Sequence, residues 1–260
     1  MLAQIRLLWS YRELLSNLVL REIRIRYKQT LIGIAWSVFQ PFALMVTFTL
    51  VFSLFARFPS EGIPYPLFSY CALLPWTFFA TSLNRATQSL TNNSTLLTKV
   101  YFPRELLPLT SIITASIDFG IASTLFIGML FFYHISLTLN IMFIILILVI
   151  QVIFTSGMAF FLSALNVSFR DTVQAIPLIL QVWMYASPIV YPMSLVPEKM
   201  RYLYMLNPMA GIIDSYRRVI LHGLPPDPRY LICVFFVAVT VFVLSYRYFK
   251  RKEIFFADII

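Results

Sequence analysis

Long apolar runs constrain this chain more than any other feature of its sequence. A helix needs about 20 mostly apolar residues to cross the ~30 Å hydrocarbon core of a bilayer. Six runs meet that length, at residues 31–56, 65–90, 106–133, 140–165, 172–191 and 230–249. Backbone amides surrounded by lipid need hydrogen-bond partners within their own segment, so each run is predicted to be a helix. The sequence therefore predicts an all-α integral membrane protein with six transmembrane helices.

Composition and charge support this class and indicate an orientation. The chain is 60% hydrophobic and 12% charged, whereas soluble domains carry about 25% charged residues. With the N-terminus placed inside, 13 of the 20 Lys and Arg residues fall in inner segments and six in outer segments. The first residues also lack the apolar core and the cleavage site of a secretory signal. The net charge of +9 is therefore interpreted as a topology signal, and both termini are predicted to be cytoplasmic.

Residues 1–30 are predicted to form an interfacial amphipathic helix that precedes a single six-span domain, residues 31–260. One face of this helix is apolar and carries Leu7, Tyr11, Leu14, Leu15, Leu18 and Ile25. The opposite face carries Glu13, Ser16, Asn17 and Arg24. This pattern is typical of a helix that lies along the membrane surface. A simple anchoring role and a role in docking a partner are both compatible with it.

The inner loop at residues 92–105 combines a short helix with exposed apolar residues. Asn93 or Ser94 can cap a helix over residues 95–101, and Pro103 then ends it. The apolar side chains of this loop are Leu96, Leu97, Val100, Tyr101 and Phe102. Such a patch on a water-facing loop usually marks an interaction site. The alternative is a helix folded back onto the bilayer surface.

The outer segment at residues 192–229 is too long for a simple connection and too polar to span. It contains two short helical stretches, at residues 198–206 and 209–221, which are separated by Asn207 and Pro208. Non-spanning helices between two spans are typical of re-entrant elements, which are tolerated where protein or a cavity covers their ends. The alternative is a pair of surface helices on the outer leaflet.

The sequence offers little for catalysis or metal binding. It contains no GxxxxGK[ST] motif, no HExxH motif and no GxSxG motif. His134 and His222 are isolated in outer loops, and neither has a neighbour at metal-ligand spacing. Cys71 and Cys233 lie in apolar runs and are predicted to be buried thiols. The chain is therefore predicted not to be an enzyme and to hold no cofactor and no metal of its own.

A few polar and aromatic residues within the spans are candidates for lining a transport path. Asp118 lies near the middle of the third run, and intramembrane carboxylates are functional candidates by default. It stands nearly alone in its run, so a structural or subunit contact is as compatible with the sequence as a transport role. Arg85 lies nearer the inner end of the second run and is predicted to snorkel to the membrane surface. The aromatic candidates, for which helix packing is the alternative, are Trp36, Phe39 and Trp183.

Several stretches, in order along the chain, resemble the membrane subunits of bacterial ABC exporters for polysaccharides and polyol phosphates. RIRYKQTLIGIAWSVFQP is similar to the N-terminal signature of that family, and KVYFPRELLPL is similar to its cytoplasmic coupling segment. SFRDTVQAIP and ASPIVYP resemble its fifth-span region, and LNPMAGIIDSYRRVIL resembles its external segment before the last span. The resemblance implies export of O-antigen, capsule or teichoic-acid polymers on lipid carriers.

The resemblance also implies partners and a location. The expected assembly is a homodimer in the bacterial inner membrane with a separate ATP-binding cassette ATPase pair, which would bind ATP and Mg. The expected cargo is a lipid-linked glycan, and no nucleic acid is expected as a partner. A small-molecule or lipid exporter of the same superfamily is the alternative. A proton-coupled secondary transporter is a further alternative, but it would need internal repeats or several buried charges.

The same resemblance assigns roles to the candidate residues. ATP-driven closure of the partner would push the inner loop, whose predicted contact residues are Thr95, Leu96, Leu97, Lys99, Tyr101, Phe102 and Arg104. The predicted channel-lining residues are Trp36, Phe39, Asp118 and Trp183. The outer segment is predicted to act as a gate, with candidate residues Tyr202, Asn207, Asp214, Arg217 and Arg218. The two arginines are expected to face lipid phosphates or charge on the passing substrate.

Overall fold

The computed structural model describes residues 2–28 and 32–256, and the regular elements in these two ranges are helices. The α-helices are α1 (Leu2–Ser10), α2 (Arg12–Tyr27), α3 (Trp36–Phe48), α4 (Tyr65–Ser89), α5 (Ser94–Lys99), α6 (Leu106–Phe132), α7 (Phe143–Ser168), α8 (Thr172–Tyr185), α9 (Glu198–Met205), α10 (Pro208–Ile220) and α11 (Pro228–Glu253). A 3₁₀ turn at Gly33–Ala35 precedes α3, and a π-helical stretch at Thr49–Phe55 continues it. The prediction of an all-α fold is confirmed for this part of the chain.

Four of the described helical stretches are long and apolar enough to cross a membrane, and they are Gly33–Phe55, Leu106–Phe132, Leu139–Ser168 and Pro228–Glu253. They correspond to the first, third, fourth and sixth predicted spans. Leu31, where the first span was predicted to begin, lies outside the described residues. The second and fifth predicted spans correspond to α4 and to the shorter apolar α8. Length and composition therefore support four spans and do not establish a count of six.

Burial explains why α4 contains more polar residues than the four candidate spans. It packs against α3, α6, α7, α8 and α10, and its side chains from Leu67 to Trp76 are all buried. A helix enclosed by other helices does not have to present an apolar surface to lipid, because its polar groups can face the interior of the bundle. α4 is thus the central helix around which the described part of the molecule is built.

The packing of α7 against α11 depends on a glycine. A Cβ atom on Gly157 would lie 2.8 Å from the Cα atom of Phe242, which is too close for any side chain. Small residues at such positions allow membrane helices to approach each other closely. α7 also packs against α4, so α7 joins the central helix to the last span.

The predicted interfacial helix is two helices in the structure. A turn at Tyr11 separates α1 from α2. Leu18 and Val19 are buried, and α2 packs against α6. Leu7 and Ile25, which were predicted on the same apolar face, are exposed on the described chain. The protein itself therefore holds the middle of α2, in addition to any contact that α2 makes with lipid.

An apolar cluster joins α2, the inner loop and the ends of α7 and α11. Its buried members include Leu18, Leu97, Phe102, Leu106, Phe160, Phe249 and Phe256. We term the end of the molecule that carries α2 and α5 the inner end, and the end that carries α9 and α10 the outer end, after the orientation predicted from charge. The cluster packs the inner loop onto the membrane helices at the inner end.

Candidate functional site

Asp118 lies at the centre of a charged cluster between four helical segments. Its Oδ2 atom is 2.6 Å from Nη1 of Arg26 and 2.9 Å from Nη1 of Arg85. Its Oδ1 atom accepts hydrogen bonds from the hydroxyl groups of Tyr27 at 2.6 Å and Ser37 at 3.1 Å. One carboxylate therefore joins α2, α3, α4 and α6.

The structure pairs Asp118 with arginines of two other helices, which agrees with the structural contact that the sequence left open. The prediction that Arg85 snorkels to the membrane surface is wrong, because Arg85 is paired with Asp118. A charge between membrane helices costs least when an opposite charge neutralises it, which explains the pairing. The basic run before the first span was the available signal for this cluster. Spacing did not connect that run with Asp118, because Arg26 and Asp118 are 92 positions apart.

Two adjoining cavities lie beside the charged cluster. The first has a volume of about 180 Å³ and is bounded by the start of α3, by α4 and by α6. The second has a volume of about 400 Å³ and lies between α2, α4 and α6 at the inner end. Arg85 lines both cavities, so both lie beside the charged cluster.

The wall that continues from one cavity to the other is a polar stripe on α4. Thr77 and Thr81 line the first cavity, and Asn84 and Gln88 line the second. These four positions are three or four residues apart and therefore share one helical face. All four are half-buried, in contrast to the buried first half of α4. Lipid offers no hydrogen-bond partner to such side chains, so this face suits a wet path or an interface with another chain.

The second cavity links α2 to the inner loop. Glu22 lies 3.7 Å from Arg26, and burial raises the pKa of Glu22 although the guanidinium groups of Arg85, Arg26 and Arg21 act in the opposite direction. Arg21 donates a hydrogen bond to Oδ1 of Asn93, which immediately precedes α5. The side chain of Asn93 does not cap α5, so that prediction is wrong. α2 is thus tied both to the charged cluster and to the inner loop.

The aromatic candidates for channel lining lie in two different surroundings. Trp36 and Phe39 are exposed on α3, edge to face with ring centroids 5.3 Å apart, and Trp36 also lines the first cavity. Trp183 instead packs against Phe79 in the interior and donates a hydrogen bond from Nε1 to Oδ1 of Asn207 at 2.9 Å. The structure therefore favours helix packing as the role of Trp183 and leaves the other two at the surface of the chain.

The inner loop buries some of its apolar residues and exposes others. Phe102 has an exposed fraction of 4% and Leu97 is also buried, whereas Tyr101 is 95% exposed. α5 ends at Lys99 instead of residue 101, because Val100 has an extended backbone. The prediction that Leu97 and Phe102 belong to an exposed patch is therefore wrong. The remaining contact candidates are exposed or half-buried, and they are Thr95, Leu96, Lys99 and Arg104.

A second group of charges fixes the inner loop to the end of α11. Nζ of Lys250 lies 2.6 Å from Oε1 of Glu105 and 2.6 Å from Oε2 of Glu253. Glu105 is buried and accepts a hydrogen bond from the hydroxyl group of Tyr246 at 3.1 Å. Arg104 donates a hydrogen bond to the backbone carbonyl of Glu253. Sequence reasoning missed this link, since Glu105 and Tyr246 are 141 positions apart and no pattern connects them.

At the outer end, α10 is enclosed by other helices. It packs against α4, α7 and α11. Asn207 caps it, because Oδ1 of Asn207 accepts a hydrogen bond from the Met209 amide at 3.1 Å. The side-chain amide of Asn207 also donates to Oγ of Ser187 at 3.0 Å, which ties α10 to the chain after α8. The side chain of Tyr202, another gate candidate, lies outside the described part of the structure.

Arg217 does not face lipid or the outside, contrary to prediction. Its exposed fraction is 4%, and its guanidinium group lies over the ring of Phe68, 3.5 Å from the centroid. It donates hydrogen bonds to the carbonyl groups of Pro188 at 2.5 Å and Ile189 at 2.6 Å. These carbonyls lie in the non-helical stretch that follows α8 at Tyr185, short of the predicted end at residue 191. Arg217 therefore stabilises the inward turn of the chain that ends α8 early.

Asp214 and Arg218 line a polar cavity of about 360 Å³ at the outer end, and the buried Arg217 also forms part of its wall. Burial raises the pKa of Asp214, although neighbouring guanidinium groups act in the opposite direction. His222, which was predicted to be isolated, has its Nε2 atom 3.3 Å from a carboxylate oxygen of Glu61. Glu61 also accepts a hydrogen bond from Ser194 at 2.6 Å. Within the described ranges, no group of three or more His, Cys, Asp or Glu residues is placed to hold a metal ion.

Long apolar helices that enclose a polar face and a neutralised charge are the architecture of a membrane-embedded transport subunit. Comparison with known proteins specifies the kind of subunit. The family model described as ABC-2 type transporter matches residues 13–221, and the chain belongs to that family. It is thus the membrane permease of an ABC transporter, and the family indicated by the sequence motifs is confirmed.

Curated relatives match along nearly the whole chain. The O-antigen export system permease protein RfbA of Myxococcus xanthus is 30% identical over 261 residues, which cover 99% of both chains. A protein with the same name from Klebsiella pneumoniae is 29% identical over 249 residues, or 95% of both chains. The polysialic acid transport protein KpsM of Escherichia coli is 22% identical over 245 residues, or 91% of this chain and 92% of KpsM.

Proposed function

We propose that this chain is the channel-forming permease subunit of an exporter that moves a lipid-linked polysaccharide, such as an O-antigen-like polymer, across the bacterial inner membrane. A separate pair of ATP-binding cassette ATPase subunits hydrolyses ATP and supplies the energy. The names of the relatives, which describe O-antigen export and polysialic acid transport, support a polysaccharide cargo. The absence of a GxxxxGK[ST] motif from the sequence supports a separate ATPase.

The single observation that carries the proposal is the polar stripe on α4. Sugar hydroxyl groups need hydrogen-bond partners at every position along a path, and the hydroxyl and amide groups of Thr77, Thr81, Asn84 and Gln88 provide them. Hydrogen bonds between uncharged groups are weaker than charge-assisted ones, which suits a sliding polymer. The charged side chains Arg85 and Asp118, which also line the first cavity, are paired with each other. The path begins in the second cavity at the inner end and continues along α4 into the first.

A second copy of the chain would complete this path. α8 exposes Gln174 and Gln181, which are seven positions apart and share a helical face, and α3 exposes Gln40. Amide groups exposed to lipid would be left without hydrogen-bond partners, and each unsatisfied polar group in hydrocarbon costs on the order of several kcal/mol. We place these glutamines against the second copy or against water between the two copies. Trp36 and Phe39 on α3 lie on the surface that such a dimer would use.

The inner loop is proposed to receive the movement of the ATPase. Tyr101 projects from it, and the charges around Lys250 hold the loop against α11. The Arg21–Asn93 hydrogen bond then connects the start of α5 to α2, and α2 connects to Asp118. Force applied at the loop would therefore reach α3, α4 and α6 through the charged cluster. This assigns to Asp118 a role in positioning helices rather than in binding the cargo.

The outer gate is proposed to be α10 together with α9, as a re-entrant pair. α10 has 13 residues, which is too short to span a membrane of ~30 Å, and it is enclosed by α4, α7 and α11. Asn207, Asp214 and Arg218 keep their place as gate residues, because they lie at the outer end and partly face the outer cavity or the end of α8. Arg217 is assigned to the fold instead.

The test of the proposed function combines deletion with a matched pair of variants. Removing the chain from its bacterium should trap polymer inside the cell, and the unaltered chain should return polymer to the surface. Thr81→Trp should abolish this rescue, because the indole ring fills the first cavity. Thr124→Trp should rescue fully, because Thr124 is exposed on α6 outside both cavities. The measurement is surface polymer at equal membrane levels of each protein.

Three outcomes would count against the proposal. Surface polymer that persists after deletion would exclude a role in polymer export. Full rescue by Thr81→Trp would exclude the path along α4. Accumulation of a small molecule or a lipid, with polymer unchanged, would instead support the alternative exporter of the same superfamily.

A further inference from the structure

A third cavity, separate from the polar stripe, lies between α4, α6, the start of α7 and α10. Its volume is about 350 Å³, and hydrocarbon forms nearly all of its wall. Ser123 and Tyr216 line it, but their hydroxyl groups donate elsewhere, to the Phe119 carbonyl at 2.7 Å and to Oε1 of Gln151 at 3.1 Å. The cavity therefore offers few hydrogen-bonding groups to an occupant.

The mouth of this cavity is on the side of the molecule that faces lipid. Four of its lining residues are exposed, namely Ile127 and Phe131 on α6 and Leu137 and Ile141 in the connection to α7, and Phe131 is 73% exposed. α6 and α7 are both among the helices that are long and apolar enough to span a membrane. The opening is thus continuous with the surface that contacts the hydrocarbon of the bilayer.

Water is a poor occupant of such a space. A buried water needs two to four polar partners, and an apolar cavity of ~150 Å³ engineered into another protein stays dry and takes up benzene. The present cavity is more than twice that size. An empty cavity also leaves its wall without dispersion contacts on one side, so any hydrocarbon that can enter gains them.

We propose that this cavity binds one acyl chain of a bilayer phospholipid. Phospholipid chains are the hydrocarbon present at the highest concentration around the mouth, so mass action favours them over a scarcer lipid. Inside the cavity the acyl chain contacts Tyr216 and Ile220, which both belong to α10. The lipid therefore acts as a packing element of the outer end, and its binding is independent of the cargo that the protein transports.

Photo-crosslinking tests this site directly. The purified protein in nanodiscs receives a phosphatidylethanolamine with a diazirine in its acyl chain, and adducts are located by mass spectrometry. The expected adducts lie on buried cavity residues such as Phe126, Leu130 and Ile220. Ser123→Phe fills the cavity and should remove most of these adducts. Thr124→Phe is the matched control, because it introduces the same ring at the adjacent residue, on the exposed face of α6.

Several results would overturn the site. Equal adduct yields in the unaltered protein and in Ser123→Phe would exclude binding in the cavity. Adducts confined to exposed residues such as Phe132 would exclude it too. A polyprenyl phosphate probe that labels the cavity while the phospholipid does not would overturn it as well. If Ser123→Phe lowers the unfolding temperature of the protein strongly, Ile127→Trp at the mouth replaces it, with the same loss of adducts expected.

Discussion

Asp118 receives two guanidinium groups and two hydroxyl groups, all within 3.1 Å. Each partner compensates for part of the cost of a carboxylate between membrane helices. At the outer end, Arg217 has the reverse role, because it is a buried cation that donates hydrogen bonds to backbone carbonyls in a non-helical stretch. The half-buried Asp118 thus fixes a place where helices from distant parts of the chain meet, and the buried Arg217 fixes a place where the backbone changes direction.

At the scale of single residues, we predict that the charge of Asp118 contributes to stability. Asp118→Asn keeps the shape of the side chain but leaves Arg85 without its counter-ion and Arg26 with Glu22, which is 3.7 Å away. We expect a loss of about 2–3 kcal/mol in unfolding free energy, less than the ~3–5 kcal/mol of a fully buried pair because these side chains are partly accessible. The measurement is the unfolding temperature in detergent, with Asp171→Asn at an exposed position as control. Equal unfolding temperatures for Asp118→Asn and the unaltered protein would refute the prediction.

At the scale of elements, the inner loop shows how neighbouring residues divide two tasks. Phe102 packs inward among α2, α7 and α11, while Tyr101 projects outward. The loop is then secured by the buried Glu105, which meets Lys250 at the end of α11. An element of six helical residues would be marginal alone, since isolated helices shorter than about 12 residues are unstable in water. Its shape therefore depends on these packing and charge contacts.

The second prediction uses the two adjacent aromatic residues as a matched pair. Tyr101→Ala should leave the unfolding temperature unchanged, because the side chain makes little contact with the rest of the chain, and should weaken co-purification of the ATPase. Phe102→Ala should instead lower stability by about 3–5 kcal/mol, as for other buried aromatic residues. Normal co-purification and normal export with Tyr101→Ala would show that the exposed ring does not serve as the contact.

At the scale of the whole molecule, the charge bias and the apolar runs together predict both ends of the chain on the cytoplasmic side. The structure arranges the helices around α4 and places α2 and α5 at one end and α9 and α10 at the other. The proposed topology requires these two ends to lie on opposite sides of the membrane. A reagent that cannot cross the membrane should therefore label only one of the two ends in intact cells.

The third prediction follows from that topology. In a background that carries Cys71→Ser and Cys233→Ser, single cysteines are placed at Thr95 on α5 and at Lys199 on α9, both exposed positions. A membrane-impermeant thiol reagent should label position 199 in intact cells and position 95 only in inverted vesicles. Labelling of position 95 in intact cells, or protection of position 199, would reverse or invalidate the orientation.

The sequence was informative wherever a local pattern carried the structure. Apolar runs located the four candidate spans, and Asn207-Pro208 correctly separated α9 from α10, whereas α5 ends at Lys99, four residues before the predicted stop at Pro103. Contacts between distant positions were missed, because no periodicity links Asp118 to Arg26 or Glu105 to Lys250. The burial of Arg217 was also missed, since an arginine on a short outer helix was expected to face lipid phosphates or the substrate.

The charged cluster has a consequence for the order in which the chain matures. Arg26 and Asp118 are 92 positions apart, and ribosomes add about 5–20 residues per second. The arginines of α2 and α4 are therefore synthesised before their counter-ion on α6. For Arg26 the interval is about 5–20 seconds. The ion pair between α2 and Asp118 cannot form before that time. During biogenesis, the contacts that join α2 and α4 to Asp118 therefore form only after α6 has been synthesised.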